Sequence, residues 1–273
     1  MGKEIIICVA PTSGNTDEPQ NPKHPDEISK DVVASYEQGA RVVHIHSRDT
    51  NGNLTTNMSF FKNTARKIKS DCDIMIEAST GGLSSFTAEE RIMPVDDPHA
   101  ELGSLNIGSL NFGDEVYINS LPDVRMWIER MKSKHVKPSL EVFDTGHLET
   151  ALSLIKAGKL TPPCNFSFIF GVKWGMPYDK KLLQYLVARL PPESRWGGIF
   201  IGSNDFSAHI EAAKMGASVV RVGFEDSRNY NGKYAHSNEE LVKALTGTFV
   251  QHGFSIPDSA RGCSKFCVSP IKS

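Results

Sequence analysis

Apolar residues along this 273-residue chain alternate between two spacings. Short runs rich in Val, Ile and Phe occur at "EIIICVAP", "ARVVHIHSR", "CDIMIEAST", "LGSLNIGS", "PSLEVFD", "NFSFIFGV", "GGIFIGS" and "SVVRVGF". Each is short enough for a strand and dense enough to be buried on both faces, as parallel strands are. The segments between them carry apolar residues three and four apart, which predicts helices. "HPDEISKDVVASYEQGA" opens on Pro and acids and stops at Gly39, and "NMSFFKNTARKIKS" has Asn57 as its cap. "DVRMWIERMKSKH", "HLETALSLIKAGKL", "DKKLLQYLVARL", "FSAHIEAAKMGA" and "SNEELVKALTGTFVQHG" continue the series. In "TAEERIMPVDD", Pro94 cuts the third helix short. Eight βα units in about 250 residues predict a (β/α)8 barrel of the TIM type, with a doubly wound sheet as the other topology. No linker or low-complexity tract interrupts the series, so residues 1–273 read as one domain with a short C-terminal extension, "SIPDSARGCSKFCVSP".

The 39% hydrophobic and 23% charged fractions are those of an ordinary soluble protein. A net charge of −2 gives no reason to expect nucleic acid or an anionic membrane as a partner. The first apolar run is too short for a signal peptide, and none approaches the roughly 20 residues of a membrane span. Five scattered cysteines, an odd number, point to reduced thiols and a cytoplasmic location. Cys263 and Cys267 form a C-x3-C pair with no second pair to complete a zinc knuckle, so they read as packing or surface thiols.

In a barrel, chemistry collects at the C-terminal ends of the strands, where "HIHSRD" (44–49) lies on the second run. His44 and His46 share one face of a strand. Two inward imidazoles either hydrogen-bond to polar neighbours or hold one divalent metal. A third ligand can come from the last run, "VVRVGFEDS", where Arg221, Gly223 and Glu225 share parity. The eighth strand of a closed barrel abuts the first, which abuts the second, so Glu225 can reach a metal held by the histidines. Two His and one carboxylate suit an open catalytic Zn²⁺ site, and would equally accept Fe²⁺, Mn²⁺ or Co²⁺.

Other strand ends are polar where a plain core would not be. Ser79, Thr80 and two glycines leave the third strand, and Ser104 and Asn106 sit in the fourth. Glu141 lies inside the fifth, where an unpaired inward acid is costly; Arg221 as a partner or a catalytic role would each account for it. Asn15, in the loop "APTSGNTDEPQNP", is either a substrate contact or a turn residue. No GxGxxG, Walker A or G-x-S-x-G sequence is present.

"HIHSRD", "STGG", "SLNFGDEVYIN" and "RVGFEDS", in this order and spacing, resemble the β-keto acid cleavage enzymes over nearly the whole chain. The resemblance implies a zinc-dependent (β/α)8 barrel. It would convert a β-keto acid and acetyl-CoA into acetoacetate and a new acyl-CoA thioester, as a homo-oligomer. The family's zinc ligands fall on His44, His46 and Glu225. Its arginine and aspartate fall on Arg221 and Asp226, its fifth-strand acid on Glu141, and its substrate contacts on Ser79, Gly82, Ser104 and Asn106. Asp226 is then the base, held or tuned by Arg221 and Glu141.

Two positions depart from the family pattern. Asn15 stands where a relative has a glutamate facing a substrate amine, which favours a neutral or polar keto acid here. "GSNDF" (202–206) replaces a glycine-arginine sequence. Two other readings compete. An amidohydrolase-like hydrolase needs its H-x-H after the first strand and histidines after the fifth and sixth, where His147 is the only nearby candidate. A non-catalytic metal-binding barrel has no need of so many polar strand ends.

Overall fold

In a computed structural model, which describes residues 3–82 and 85–259, the eight apolar runs form eight parallel strands closed into a barrel. The strands are β1 Ile6–Val9, β2 Ala40–Ile45, β3 Met75–Ala78, β4 Ala100–Asn106, β5 Lys137–Val142, β6 Asn165–Phe170, β7 Arg195–Phe200 and β8 Val219–Val222. Each pairs with its neighbour in chain order, and β8 closes on β1 with Val219 opposite Ile6 and Val222 opposite Val9. The (β/α)8 expectation therefore holds and the open doubly wound sheet does not. Residues 260–273, including Cys263 and Cys267, lie outside the described residues.

The outer ring is α1 Pro25–Glu37, α2 Met58–Asp71, α3 Ala88–Ile92, α4 Leu121–Ser133, α5 Thr145–Lys156, α6 Lys180–Ala188, α7 Ser207–Met215 and α8 Asn238–Gln251. Local chemistry sets their starts: Asn57, Ser120, Asp144, Asp179 and Ser237 each accept a hydrogen bond from a first-turn N–H. As Pro94 dictates, α3 is short and gives way to a 3₁₀ turn over Met93–Asp96. Among the described residues, no helix is long and apolar enough to cross a membrane.

Side-chain alternation divides the barrel. Outward residues of the strands join the helices in one large apolar layer containing Trp127, Phe61, Phe168 and Phe249. Inward, a small plug of Ile6, Val42, Met75 and Leu102 fills the lower end on the β1–β4 side. Two residues further along the same strands the inward face turns polar: Cys8, His44, Glu77 and Ser104. The period of two thus places dry packing low and ionisable groups high on the same strands.

Two hairpins decorate the C-terminal mouth. Leu110–Phe112 pairs with Glu115–Tyr117 after β4, and Asn229–Tyr230 pairs with Lys233–Tyr234 after β8. Gly223 ends β8 at a φ of 146°, and a Cβ there would lie 2.1 Å from the carbonyl oxygen of Ala10. That close approach turns residues 223–226 across the end of β1, with the Glu225 N–H donating to Ala10 O and the Asp226 N–H to Gly223 O. We expect Gly223→Ala to destabilise the fold by roughly 3–5 kcal/mol. Chemical denaturation, followed by the shift in midpoint, checks this.

Candidate active site

The elements that meet at the β8–β1–β2 seam place three donor groups together. His44 and His46 project from the end of β2, and Glu225 comes from the turn after β8. His44 Nε2 is 3.8 Å from Glu225 Oε1 and His46 Nε2 is 3.6 Å from Glu225 Oε2, with one donor atom from each residue within 4.8 Å of the others. These separations exceed a good hydrogen bond, and donors around a tetrahedral zinc lie roughly 3.3 Å apart. On the far side of His44, Nδ1 sits 2.8 Å from Glu77 Oε2. A carboxylate behind a ligating imidazole fixes its tautomer and leaves Nε2 free for the cation. His46 Nδ1 is buried and carries no hydrogen-bond partner. The donor set therefore fits a divalent metal, and no feature of it chooses the element.

Charge in the site is arranged to match. Burial alone would lower the pKa of His44, but the carboxylates of Glu225 and Glu77 outweigh it and raise the pKa. His46 falls to about 4 because burial dominates and Glu225 only partly offsets it, so its imidazole stays neutral, as a ligand must. Burial would raise Glu225, yet Arg221 and both imidazoles hold it well below the usual carboxylate range. Cys8, inward on β1, is pushed up by burial and stays a thiol.

Arg221, inward on β8, grips Asp226 in a fork: Nε to Oδ2 at 3.0 Å and Nη2 to Oδ1 at 2.5 Å. Its Nη2 also lies 3.4 Å from Glu225 Oε1. Asp226 and Glu225 keep Arg221 fully charged against the cost of burial. Of the two accounts open for Glu141, a direct pair with Arg221 is not formed, because the guanidinium's hydrogen bonds go to Asp226 and Glu225. Glu141, inward on β5, is raised by burial to about 7, even though His44 and Arg221 pull the other way.

His44, His46, Glu141, Arg221 and Glu225 floor a solvent-open cavity of about 320 Å³ at the mouth. Ser79, Gly82, Asn106, Glu141, Arg221 and Glu225 all line it, together with both histidines. Asn106 is almost fully buried, and its Nδ2 has no partner. Three expected positions do not reach the cavity wall. Asp226 stands behind Arg221. Ser104 is fully buried and uses its Oγ to accept from the Thr80 N–H at 3.1 Å, while Thr80 Oγ1 donates to Ser104 O. It shapes the "STGG" turn and leaves the cavity to Ser79 and Gly82. Asn15 is exposed, its Oδ1 accepting from the Asp17 N–H within its own loop, and Gly14 is the loop residue that lines the cavity. The turn role, not the substrate contact, is what the geometry gives Asn15.

Three residues escaped the sequence reading. Arg48, buried, lines the cavity; its Nη1 donates to Gly52 O at 2.7 Å, while Nε has no partner. Arg91, on the short α3, donates to Thr80 O, Ile118 O, Tyr117 Oη and Asn119 Oδ1. It pins the "STGG" turn to the hairpin after β4 and sets Tyr117 over Gly81. A Cβ on Gly81 would lie 3.1 Å from His46 Cε1 and 3.4 Å from Tyr117 Oη, so a larger residue would have to push the imidazole or its neighbours aside by a few tenths of an ångström. Tyr117, raised to about 12 by burial, remains a neutral phenol on the cavity wall. "SRD" after the histidines was the available signal for Arg48, and Arg91 had none.

The hydrolase alternative loses its extra ligand here. His147 accepts from the Phe143 N–H at Nδ1 (3.3 Å) and faces Ser109 O with Nε2 (3.2 Å), two backbone bonds that occupy both nitrogens. The metal-ligating group found among the described residues is His44, His46 and Glu225.

Known proteins resemble this chain in fold and in sequence. A solved structure titled as the ternary complex of ObcA with C4-CoA adduct and oxalate superposes with a TM-score of 0.78 at 18% identity, over 89% of this chain and 66% of that one, a likeness of fold. The 3-keto-5-aminohexanoate cleavage enzyme of Acetoanaerobium sticklandii is 34% identical over 267 residues, 95% of this chain and 97% of its own. The 3-oxoadipate:acetyl-CoA acetyltransferase of Cupriavidus necator is 30% identical over 262 residues, 93% of this chain and 91% of its own. Residues 4–261 match the family described as beta-keto acid cleavage enzyme. With that match spanning the four motifs and the whole barrel, this chain belongs to the β-keto acid cleavage enzymes.

Proposed function

We propose that this enzyme uses a zinc ion on His44, His46 and Glu225 to convert a neutral or weakly polar β-keto acid and acetyl-CoA into acetoacetate and a new acyl-CoA. The observation that carries the reading is the open His–His–Glu set on the floor of one cavity, with Arg221 beside it and Asp226 forked to Arg221 from behind. A divalent cation there would polarise the keto and carboxylate oxygens of the substrate and lower the cost of an enolate. The chain supplies the rest. Asp226 takes a proton from the α-carbon, directly or through water, as Arg221 moves from its carboxylate towards the charge that develops on the substrate. Arg48, with its unpartnered Nε, and Asn106, with its unpartnered Nδ2, offer donors to the substrate's carboxylate and carbonyl oxygens.

The α-carbon then attacks the thioester carbonyl of acetyl-CoA and expels CoA thiolate. The thiolate adds to the C3 carbonyl of the condensed product. Cleavage of the original C2–C3 bond leaves the former C3 acyl group on CoA and releases the enolate of acetoacetate, which takes back the proton held by Asp226. A second reading makes Glu141 the base, favoured by its place on the cavity wall and its pKa near 7. Exchange of the substrate's α-hydrogen with deuterated solvent, without acetyl-CoA, separates the two. We expect Asp226→Asn to abolish exchange and Glu141→Gln to retain it; the reverse pattern assigns the proton to Glu141.

Substrate choice is read from the cavity walls. Phe112, Phe143, Ile169, Val172 and Ile201 face the site, and the wall acids are Glu141 and Glu225, both claimed by the chemistry. With Asn15 turned into its own loop, no spare carboxylate there greets an ammonium. Acetoacetate formation from acetyl-CoA across a panel of β-keto acids should favour neutral side chains over amine-bearing ones. A metal-dependent amide or lactone hydrolysis in place of any acetoacetate would sink the reading.

Homo-oligomerisation, expected from the resemblance, is supported by the exposed Phe112, Val116, Ile118 and Leu121 on and beside the first hairpin. Metal affinity tests the centre itself. His46→Ala should abolish binding in a competition titration against a chromophoric chelator. Glu77→Gln, which removes the charge behind His44, should weaken it roughly 10- to 100-fold. Full turnover by metal-free protein would refute the zinc role.

A further inference from the structure

The turn after β6 holds an exposed aromatic side chain in a costly conformation. Residues 172–175 close through the Gly175 N–H donating to Val172 O at 2.9 Å, and Trp174, at the third position of that turn, has φ of 74°. This position of a type II turn belongs to glycine or asparagine, and a bulky residue there is strained. The indole is nevertheless 64% exposed, so burial does not repay the strain. Its Nε1–H donates to Gly113 O at 2.8 Å, fixing the ring against the hairpin after β4. The Lys173 ammonium lies 4.9 Å from the ring centre. The turn is itself tied down, with the Gly171 N–H on Met176 O and the Met176 N–H on Phe143 O. A rigid, outward-facing aromatic plate with a cation over one face therefore stands next to the mouth cavity, whose wall includes Val172, Phe112 and Phe143.

We propose that Trp174 and Lys173 form the docking site for the nucleotide end of coenzyme A, an inference that rests on the acetyl-CoA reading above. The adenine stacks on the free face of the indole and Lys173 meets the phosphates. The pantetheine arm passes over Val172 and Phe112 into the cavity, which brings the thioester towards Arg221. Strain held at an exposed residue marks a site where function outweighs local stability. Stacking on an aromatic ring suits a purine, and an ammonium beside it suits phosphate charge.

Trp174→Gly tests this well, because glycine relieves the turn while removing the plate. In the full-length protein, calorimetric titration with CoA should show affinity reduced roughly 5- to 50-fold. The ratio of kcat/KM for acetyl-CoA to that for S-acetyl-N-acetylcysteamine, a thioester without the nucleotide, should fall by the same factor. Trp174→Phe should recover most of both, and the Tm of Trp174→Gly should not drop. Unchanged CoA affinity in Trp174→Gly, or an equal loss with both thioesters, overturns the docking site while leaving the acetyl-CoA reading standing. Wild-type protein that neither binds CoA nor turns over acetyl-CoA overturns that reading together with this one.

Discussion

Arg221 makes the site possible. Glu77, Glu141, Glu225 and Asp226 all lie within the upper part of the barrel, where four carboxylates would otherwise repel one another in a medium that solvates them poorly. The guanidinium answers two of them directly, Asp226 in a fork and Glu225 at 3.4 Å. The imidazole of His44 answers Glu77. What remains is an excess of negative charge around the open Nε2 atoms, an electrostatic setting that favours a divalent cation. The buried network and the His–His–Glu set are thus one arrangement, and each part would be unfavourable without the others.

The closure of the barrel gives that network its geometry. Arg221 and Glu225 belong to the last strand and its turn, the histidines to the second, and only the β8–β1 ladder brings them within a few ångströms. The sharp exit at Gly223 bends the chain over Ala10 and keeps Glu225 from following β8 away from the axis. Strand alternation places the groups on the inner face, and the turn sets their height.

How much of this could be read beforehand follows from range. Strand count, helix caps and the inward parity of His44, His46, Arg221 and Glu141 are local properties, and the alternation of side chains carried them through intact. Asn15 stayed open between turn and contact because a loop has no period, and its side chain accepts from the nearest backbone N–H. Ser104 has the right parity, yet a neighbouring backbone N–H claimed its hydroxyl. Arg91 was invisible because its four acceptors come from two separate loops that meet only after the barrel closes. Glu141 was visible as an oddity, while its partner depended on which of two acids Arg221 would choose. The strain at Trp174 lies in a backbone angle that no residue pattern announces.

The mouth cavity is divided by origin. Its reactive floor is built from β2, β8 and the turn behind them, while much of its apolar wall comes from the hairpin after β4 and the exits of β5, β6 and β7. The two halves face each other across the axis, joined near His46 by the Arg91 anchor and the Tyr117 ring. Substitutions in the wall can therefore reshape the cavity without moving His44, His46, Glu225 or Arg221. Such a barrel is a fixed reaction engine with an exchangeable mould, which gives one chemistry access to many substrates through the loops of a single side.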